Sequence, residues 1–200
     1  MNKVFVFLGE LFWLNTLFVL TVLCSLGILT GPALSALFKV SNLIINKKAD
    51  FYNIHKLFFN GMKKSFRYSM IYSLLMFVMI FIILTNLENI EYLQEVYPKT
   101  LLLILQYYIL FQLVINTLTI YYLNGNYQFN RFKDLLRTAF YLSNRHFVIT
   151  LFMMGSVFLF SYLVVVYLNM SLIVICFSIF AIWICLLWKP IIKKYQKIEL

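Results

Sequence analysis

The segment Leu11–Asn46 constrains this chain most, because it holds two apolar runs separated by a glycine–proline pair. Residues Leu11–Leu29 include no charged side chain. A helix of that length, at about 1.5 Å per residue, crosses a hydrocarbon core of about 30 Å. The second run, Ala33–Asn46, spans only about 21 Å as a helix and is too short to cross. This arrangement predicts an integral membrane protein.

The composition also favours a membrane protein over a soluble one. Hydrophobic residues make up 63% and charged residues 12% of the chain, with a mean hydropathy of +0.88, whereas soluble domains are about half apolar and a quarter charged. The net charge of +10 is typical of the positive-inside rule and of contact with anionic lipids at the cytoplasmic face. Since no basic soluble domain is evident, we expect the lipid bilayer as a partner and no nucleic acid.

The apolar runs predict an all-α, polytopic helical membrane protein with about five transmembrane helices in a single integral membrane domain, residues 1–200. No signal-peptide cleavage is expected, because the first run is longer than the usual stretch of about 7–15 residues. Asn169-Met170-Ser171 is predicted to be a tight hairpin, and residues 86–99 an acidic loop. The predicted spans are residues 11–29, 68–85, 100–122, 147–168 and 172–188, with amphipathic segments at residues 33–46, 51–67 and 129–140.

Helix boundaries follow from breaks and caps. The residue before a proline avoids the α region, so Gly31-Pro32 is predicted to end the first span and Pro32 to begin a new helix. Asp50 is a predicted N-cap for the helix that follows, and Asn124-Gly125-Asn126 is a turn signal that closes the third span. In the helix of residues 33–46, one polar stripe is predicted to face water or a partner. The helix then lies at the cytoplasmic boundary or dips into the bilayer as a re-entrant element. The stripe consists of Ser35, Lys39, Asn42 and Asn46.

Two amphipathic segments carry exposed basic residues of the kind that lie on a membrane surface. They are candidate contacts for anionic lipid or a partner: Lys56, Lys63, Lys64, Arg67, Arg131, Arg137 and Arg145. With an outside N-terminus and a cytoplasmic C-terminus, the segments 39–67, 131–145 and 189–197 lie inside and hold 15 of the 17 Lys and Arg residues. This orientation is the predicted one.

Few residues offer catalytic or metal-binding chemistry. His55 and His146 are the only histidines and lie outside any metal-binding motif, so no metal, cofactor or enzymatic activity is expected. Ser65 and Ser69 are interpreted as polar edge residues. Gln112 and Asn116 share one face of the third span, which predicts either polar packing between helices or a site for a neutral solute.

Several motifs resemble the YesL-like family of bacterial membrane proteins of unknown function. They are Leu14-Asn15-x-Leu17-Phe18, Gly31-Pro32-Ala33-x-x-Ala36-Leu37, the segment Phe58–Phe66 and the segment Leu135–Phe140. The resemblance implies a protein of the bacterial cytoplasmic membrane with an accessory or regulatory role, often beside carbohydrate uptake, and no catalytic residue. It leaves open a transporter complex or a homo-oligomer as the functional assembly. A small-solute permease or channel subunit is the alternative.

Overall fold

The computed structural model describes residues 3–91, 96–167 and 173–196. These residues form helices and connections without a β-strand, which confirms the all-α prediction. The predicted hairpin at residues 169–171 lies outside the described residues. The helices are α1 Lys3–Cys24, α2 Thr30–Ile45, α3 Ile54–Glu91, α4 Val96–Asn126, α5 Phe132–Arg145, α6 Phe147–Tyr167 and α7 Ile173–Gln196, with a 3₁₀ turn at Phe51–Asn53.

Helix α2 lies at the centre of the bundle and packs against α1, α3, α4 and α7. Residues on all of its faces are buried, including Ala33, Ser35, Ala36 and Val40. The prediction that its polar stripe faces water or a partner is therefore wrong at Ser35, which is 0% exposed. The apolar surface of α2 is covered by other helices and not by lipid. Its length therefore need not match the thickness of the bilayer.

The first helix ends at Cys24, five residues before the predicted end at Leu29, and Gly31-Pro32 lies inside the first turn of α2. The break is at Leu26 and Gly27, with φ of 49° and 83°, a left-handed conformation that favours glycine. The Ser25 hydroxyl accepts a hydrogen bond from the Leu29 amide at 3.2 Å. The Thr30 hydroxyl donates to the Gly27 carbonyl at 2.6 Å. These bonds pair backbone groups with which lipid could not form hydrogen bonds. Leu26 is 91% exposed and forms the apolar tip of this connection.

Helices α1 and α2 form an antiparallel hairpin whose two open ends lie together. Phe51 ring carbons lie 3.8 and 3.9 Å from the position that a Cβ on Gly9 would occupy, and the Trp13 and Phe51 rings are 6.4 Å apart. The Lys189 ammonium donates to the Asn46 side chain at 2.5 Å, which places the last turns of α7 at the same end. We call this the basic end of the bundle.

This geometry bears on the predicted orientation, which itself stays a prediction. The prediction places the N-terminal residues outside and segment 39–67 inside, yet Gly9 and Phe51 are neighbours. The two assignments are incompatible, because α2 returns along α1 instead of lying beneath the spans. The start of α1 and the end of α7 therefore share one side of the bundle.

Helices α3 and α4 are longer than the predicted spans. The amphipathic segment and the second span form one 38-residue helix. Residues 86–91 and 96–99 of the predicted acidic loop are helical, and residues 92–95 lie outside the described part. The side chain of Asp50 makes no cap hydrogen bond. Helix α4 continues through Asn124-Gly125-Asn126, so the predicted turn there is wrong. Its amphipathic successor α5 begins at Phe132 and ends at Arg145, later than the predicted 129–140.

Within the described residues, four helices are long and apolar enough to cross a membrane, and the pair α5–α6, bent by 90°, adds a fifth candidate. Helix α6 packs on α7, where the Trp183 indole donates to the Ser156 hydroxyl at 2.9 Å. Large apolar side chains such as Leu74, Phe77 and Phe158 are exposed on the outer surface, as lipid-facing residues would be. The fold is thus that of a polytopic helical membrane protein.

Candidate functional site

The family-like motif residues lie in the interior of the bundle. Leu14 and Asn15 on α1 are fully buried, as are Ala33 and Ala36 on α2. The Asn15 side-chain oxygen Oδ1 accepts hydrogen bonds from the Ser178 backbone amide at 3.1 Å and the Ser178 hydroxyl at 3.4 Å. These contacts join α1 to α7, so the motif positions the helices around α2.

Gly31 and Pro32 begin the buried part of α2. A Cβ on Gly31 would lie 2.0 Å from the Ser73 hydroxyl oxygen and 2.9 Å from the Ser69 carbonyl oxygen. No side chain larger than hydrogen fits there without movement of α3. The glycine of this motif therefore sets the close approach of α2 to α3.

A chain of buried polar groups, which we call the polar seam, joins α2, α3 and α4. Ser35 and Ser69 share a hydrogen bond of 2.7 Å between their hydroxyls. The Asn124 amide donates to the Ser69 hydroxyl at 2.7 Å and to the Ser65 carbonyl at 3.0 Å. Ser73 and Tyr121 share a further hydroxyl bond of 2.8 Å. The seam consists of Ser35, Ser65, Ser69, Ser73, Tyr121 and Asn124. Most of these bonds join members of the seam, and the Ser65 hydroxyl donates to the Gly61 carbonyl at 3.0 Å; buried polar groups generally need such partners.

A signal for this seam is present in the sequence. Ser65, Ser69 and Ser73 recur every four residues and so share one face of α3. Their interpretation as edge residues is wrong for Ser65 and Ser69, which are buried. The partner, Asn124, lies more than fifty residues further along the chain, and the spacing of the serines does not identify it.

Replacing Asn124 with leucine tests the seam. The variant keeps the branching and number of the side-chain heavy atoms but removes both donated hydrogen bonds, so we expect a loss of about 1–2 kcal/mol in the free energy of unfolding. Thermal unfolding in detergent measures it. The matched control is Asn130→Leu, because Asn130 is exposed and its only recorded contact in the described structure uses its backbone carbonyl. Equal melting temperatures for the two variants would contradict a stabilising seam.

The last turn of α4 lies directly against α2. A Cβ on Gly125 would lie 2.1 Å from the Ser35 carbonyl oxygen and 3.0 Å from its carbon. One residue further, the Asn42 amide donates to the Asn126 side-chain oxygen at 2.8 Å. Gly125 and Asn126 of the predicted turn thus pack against α2 as part of the helix, whereas Asn124 bonds to α3.

A polar pocket of about 340 Å³ opens where the seam meets the basic end. Lys39 of α2 and Lys64 of α3 line it together with the connection that follows α4. Burial and the nearby Lys64 ammonium lower the pKa of Lys39 below its ordinary value. Lys39 belongs to the predicted polar stripe, but the structure directs it into this pocket.

Gln112 and Asn116 both contact the α5 helix. The Asn116 side-chain oxygen accepts a hydrogen bond from the Ser143 hydroxyl at 2.7 Å, and its amide donates to the Gln112 carbonyl at 2.7 Å. The Gln112 amide donates to the Asn144 side chain at 3.4 Å. These bonds favour polar packing over a solute site, since the amides already have protein partners.

The candidate basic residues all lie at the surface. Tyr68 donates to the Asn130 carbonyl at 2.9 Å, so the basic stretch of α3 lies beside the chain that enters α5. Arg145 extends over the rings of Tyr141 and Tyr195, 5.4 and 5.5 Å from their centroids. We call the exposed set the basic face: Lys56, Lys63, Lys64, Arg67, Arg131, Arg137 and Arg145.

The two histidines belong to different parts of the fold. His55 is exposed near the start of α3, and His146, at the bend between α5 and α6, shares a hydrogen bond of 3.0 Å with the Tyr195 hydroxyl. Among the described residues, no group of three or more histidine, cysteine or acidic side chains lies close enough to hold a metal ion. The expectation that the protein has no metal or cofactor stays a prediction.

The fold and its buried seam define a polytopic helical membrane protein built around an enclosed central helix. Residues 11–87 match the sequence model of a family described as "Protein of unknown function, DUF624". The matched segment covers most of α1, all of α2 and most of α3, including the Leu14-Asn15 and Gly31-Pro32-Ala33 motifs. No curated protein and no solved structure matches the chain. The similarity thus points to a family of unknown function, and the YesL-like name remains a resemblance.

Proposed function

We propose that this protein is a non-enzymatic accessory or regulatory component of a membrane system in the bacterial cytoplasmic membrane. Carbohydrate uptake is the system that the resemblance to the YesL-like family suggests. In this proposal the basic end of the bundle faces the cytoplasm, following the positive-inside rule. The basic face then contacts anionic lipid and a cytoplasmic or transporter partner.

The observation that carries the proposal is the contact between two basic segments whose cationic side chains are exposed. Tyr68 and Asn130 connect them, and Arg67 and Arg131 adjoin these two residues in the chain. Exposed cations of one sign attract an acidic partner and speed its association. The polar groups deeper in the bundle bond to one another, so they support packing rather than a solute pathway.

Reversing charge on the basic face tests this function. In the variant Lys56→Glu/Lys63→Glu/Arg67→Glu, we expect recovery of a transporter from mild detergent to fall by about tenfold or more, because like charges now face an acidic partner. The protein is tagged, purified from its native membrane, and the co-purified proteins are quantified. Lys56→Arg/Lys63→Arg/Arg67→Lys preserves the charge and is the matched control.

The alternative is a small-solute permease or channel subunit. A lone homo-oligomer that gives solute flux in liposomes would establish this alternative and contradict the accessory role. Stoichiometric recovery of a transporter with the wild type and the control, but not with the charge-reversed variant, supports the accessory role.

A further inference from the structure

The pocket at the basic end brings two lysines together without a counter-charge. Lys39 and Lys64 come from different helices, and no aspartate or glutamate is among the residues that line the pocket. Burial, and after it the Lys64 ammonium, lower the pKa of Lys39. A half-buried cation is costly unless an anion pairs with it. The protein therefore holds an uncompensated positive site open to a ligand.

The position of Lys39 is fixed by a glycine on the neighbouring helix. The Lys39 Cδ atom lies 3.2 Å from the position that a Cβ on Gly61 would occupy. The aliphatic part of the Lys39 side chain therefore packs against α3 at Gly61, which has no side chain. Lys64 follows Gly61 by three residues and shares its helix face. The fold thus directs both ammonium groups to one place.

Neutral hydrogen-bonding groups complete the wall of the pocket. Gln128 and Asn130 line it and are exposed, and their side-chain amides are able to donate to oxygen atoms. The bond from Tyr68 to the Asn130 carbonyl holds this connection across α3. The volume of about 340 Å³ falls in the range of small-molecule sites. Ammonium and amide donors around such a space suit a tetrahedral oxyanion.

We propose that Lys39 and Lys64 form a binding site for a phosphate group. The group belongs either to an anionic phospholipid headgroup or to a soluble phosphate compound, since both present the same oxygens. The site deepens the proposed function by giving the basic end a defined ligand. Its test uses Lys39, whereas the partner test uses Lys56, Lys63 and Arg67, none of which lines the pocket. The two proposals can therefore fail separately.

The experiment measures melting temperatures of the full-length protein in two kinds of nanodisc. Inorganic phosphate is titrated in discs of phosphatidylcholine alone, and discs that also contain phosphatidylglycerol are compared without added phosphate. We expect one or both anions to raise the melting temperature of the wild type. Lys39→Gln should weaken phosphate binding by about tenfold, or abolish the lipid effect, because it removes a charged donor.

Lys133→Gln is the matched control, because it removes one exposed charge of α5 that lies outside both the pocket and the basic face. Without ligand, Lys39→Gln should be at least as stable as the wild type, since it removes a repelling charge; its loss of binding then does not reflect unfolding. A shift with phosphate in neutral discs identifies a soluble ligand, and a shift only with phosphatidylglycerol identifies a lipid headgroup. No shift in either disc, or an equal loss in Lys133→Gln, would overturn the site.

Discussion

Gly125→Ala is expected to lower the free energy of unfolding by about 3 kcal/mol, a loss of roughly 6–12 °C in melting temperature for a chain of this size. The added Cβ would lie 2.1 Å from the Ser35 carbonyl oxygen and 3.0 Å from the Ser35 carbonyl carbon. Both are backbone atoms, so a change of rotamer cannot relieve the overlap. Helix α4 would have to move away from α2. Thermal unfolding in detergent measures the effect.

Gly155→Ala is the control that the chain itself offers. Gly155 also lies in a helix, α6, and a Cβ there would meet no atom within 4 Å. Alanine is the better helix former by about 1 kcal/mol, so this variant should be neutral or slightly more stable. If Gly125→Ala matched Gly155→Ala, the close contact between α2 and α4 would be excluded.

The sequence predicts those features that depend on local pattern. The length of apolar runs identifies the long helices, and the period of basic and apolar residues identifies the first half of α3 as amphipathic. The same pattern indicates that Lys63, Lys64 and Arg67 lie on the surface, where the structure places them. These features need no knowledge of which helices are neighbours.

Features that depend on distant contacts could not be predicted. The spacing of the polar residues that begin at Ser35 identifies one face of the helix. It does not show whether that face contacts water or another helix. The answer depends on Ser69 and Asn124, which are far away in sequence. Asn124-Gly125-Asn126 is a turn signal by composition. Asn124 nevertheless bonds to α3, Gly125 and Asn126 contact α2, and all three residues are helical.

The short length of α2 does not show that the helix lies beneath the spans, because its surroundings also depend on distant contacts. A minimum of about 17 residues applies to a helix whose sides face lipid across the bilayer. Helix α2 has 16 residues and is surrounded by α1, α3, α4 and α7. It returns along α1 inside the bundle and thereby brings the start of α1 beside Phe51.

The central claim is that α1 and α2 form a hairpin whose open ends share one side of the membrane. Single cysteines in a cysteine-free background test this claim most directly, with a membrane-impermeant maleimide applied to intact and to lysed cells. The four positions are Lys3→Cys, Lys48→Cys, Glu88→Cys and Lys194→Cys.

With the basic end in the cytoplasm, Lys3→Cys, Lys48→Cys and Lys194→Cys should react only after lysis. Glu88→Cys, near the opposite end of α3, should react in intact cells. The effect is all-or-none, because the bilayer either protects a site or does not. Reaction of Lys3→Cys in intact cells while Lys48→Cys stays protected until lysis would place the two ends of the hairpin on opposite sides and contradict the account.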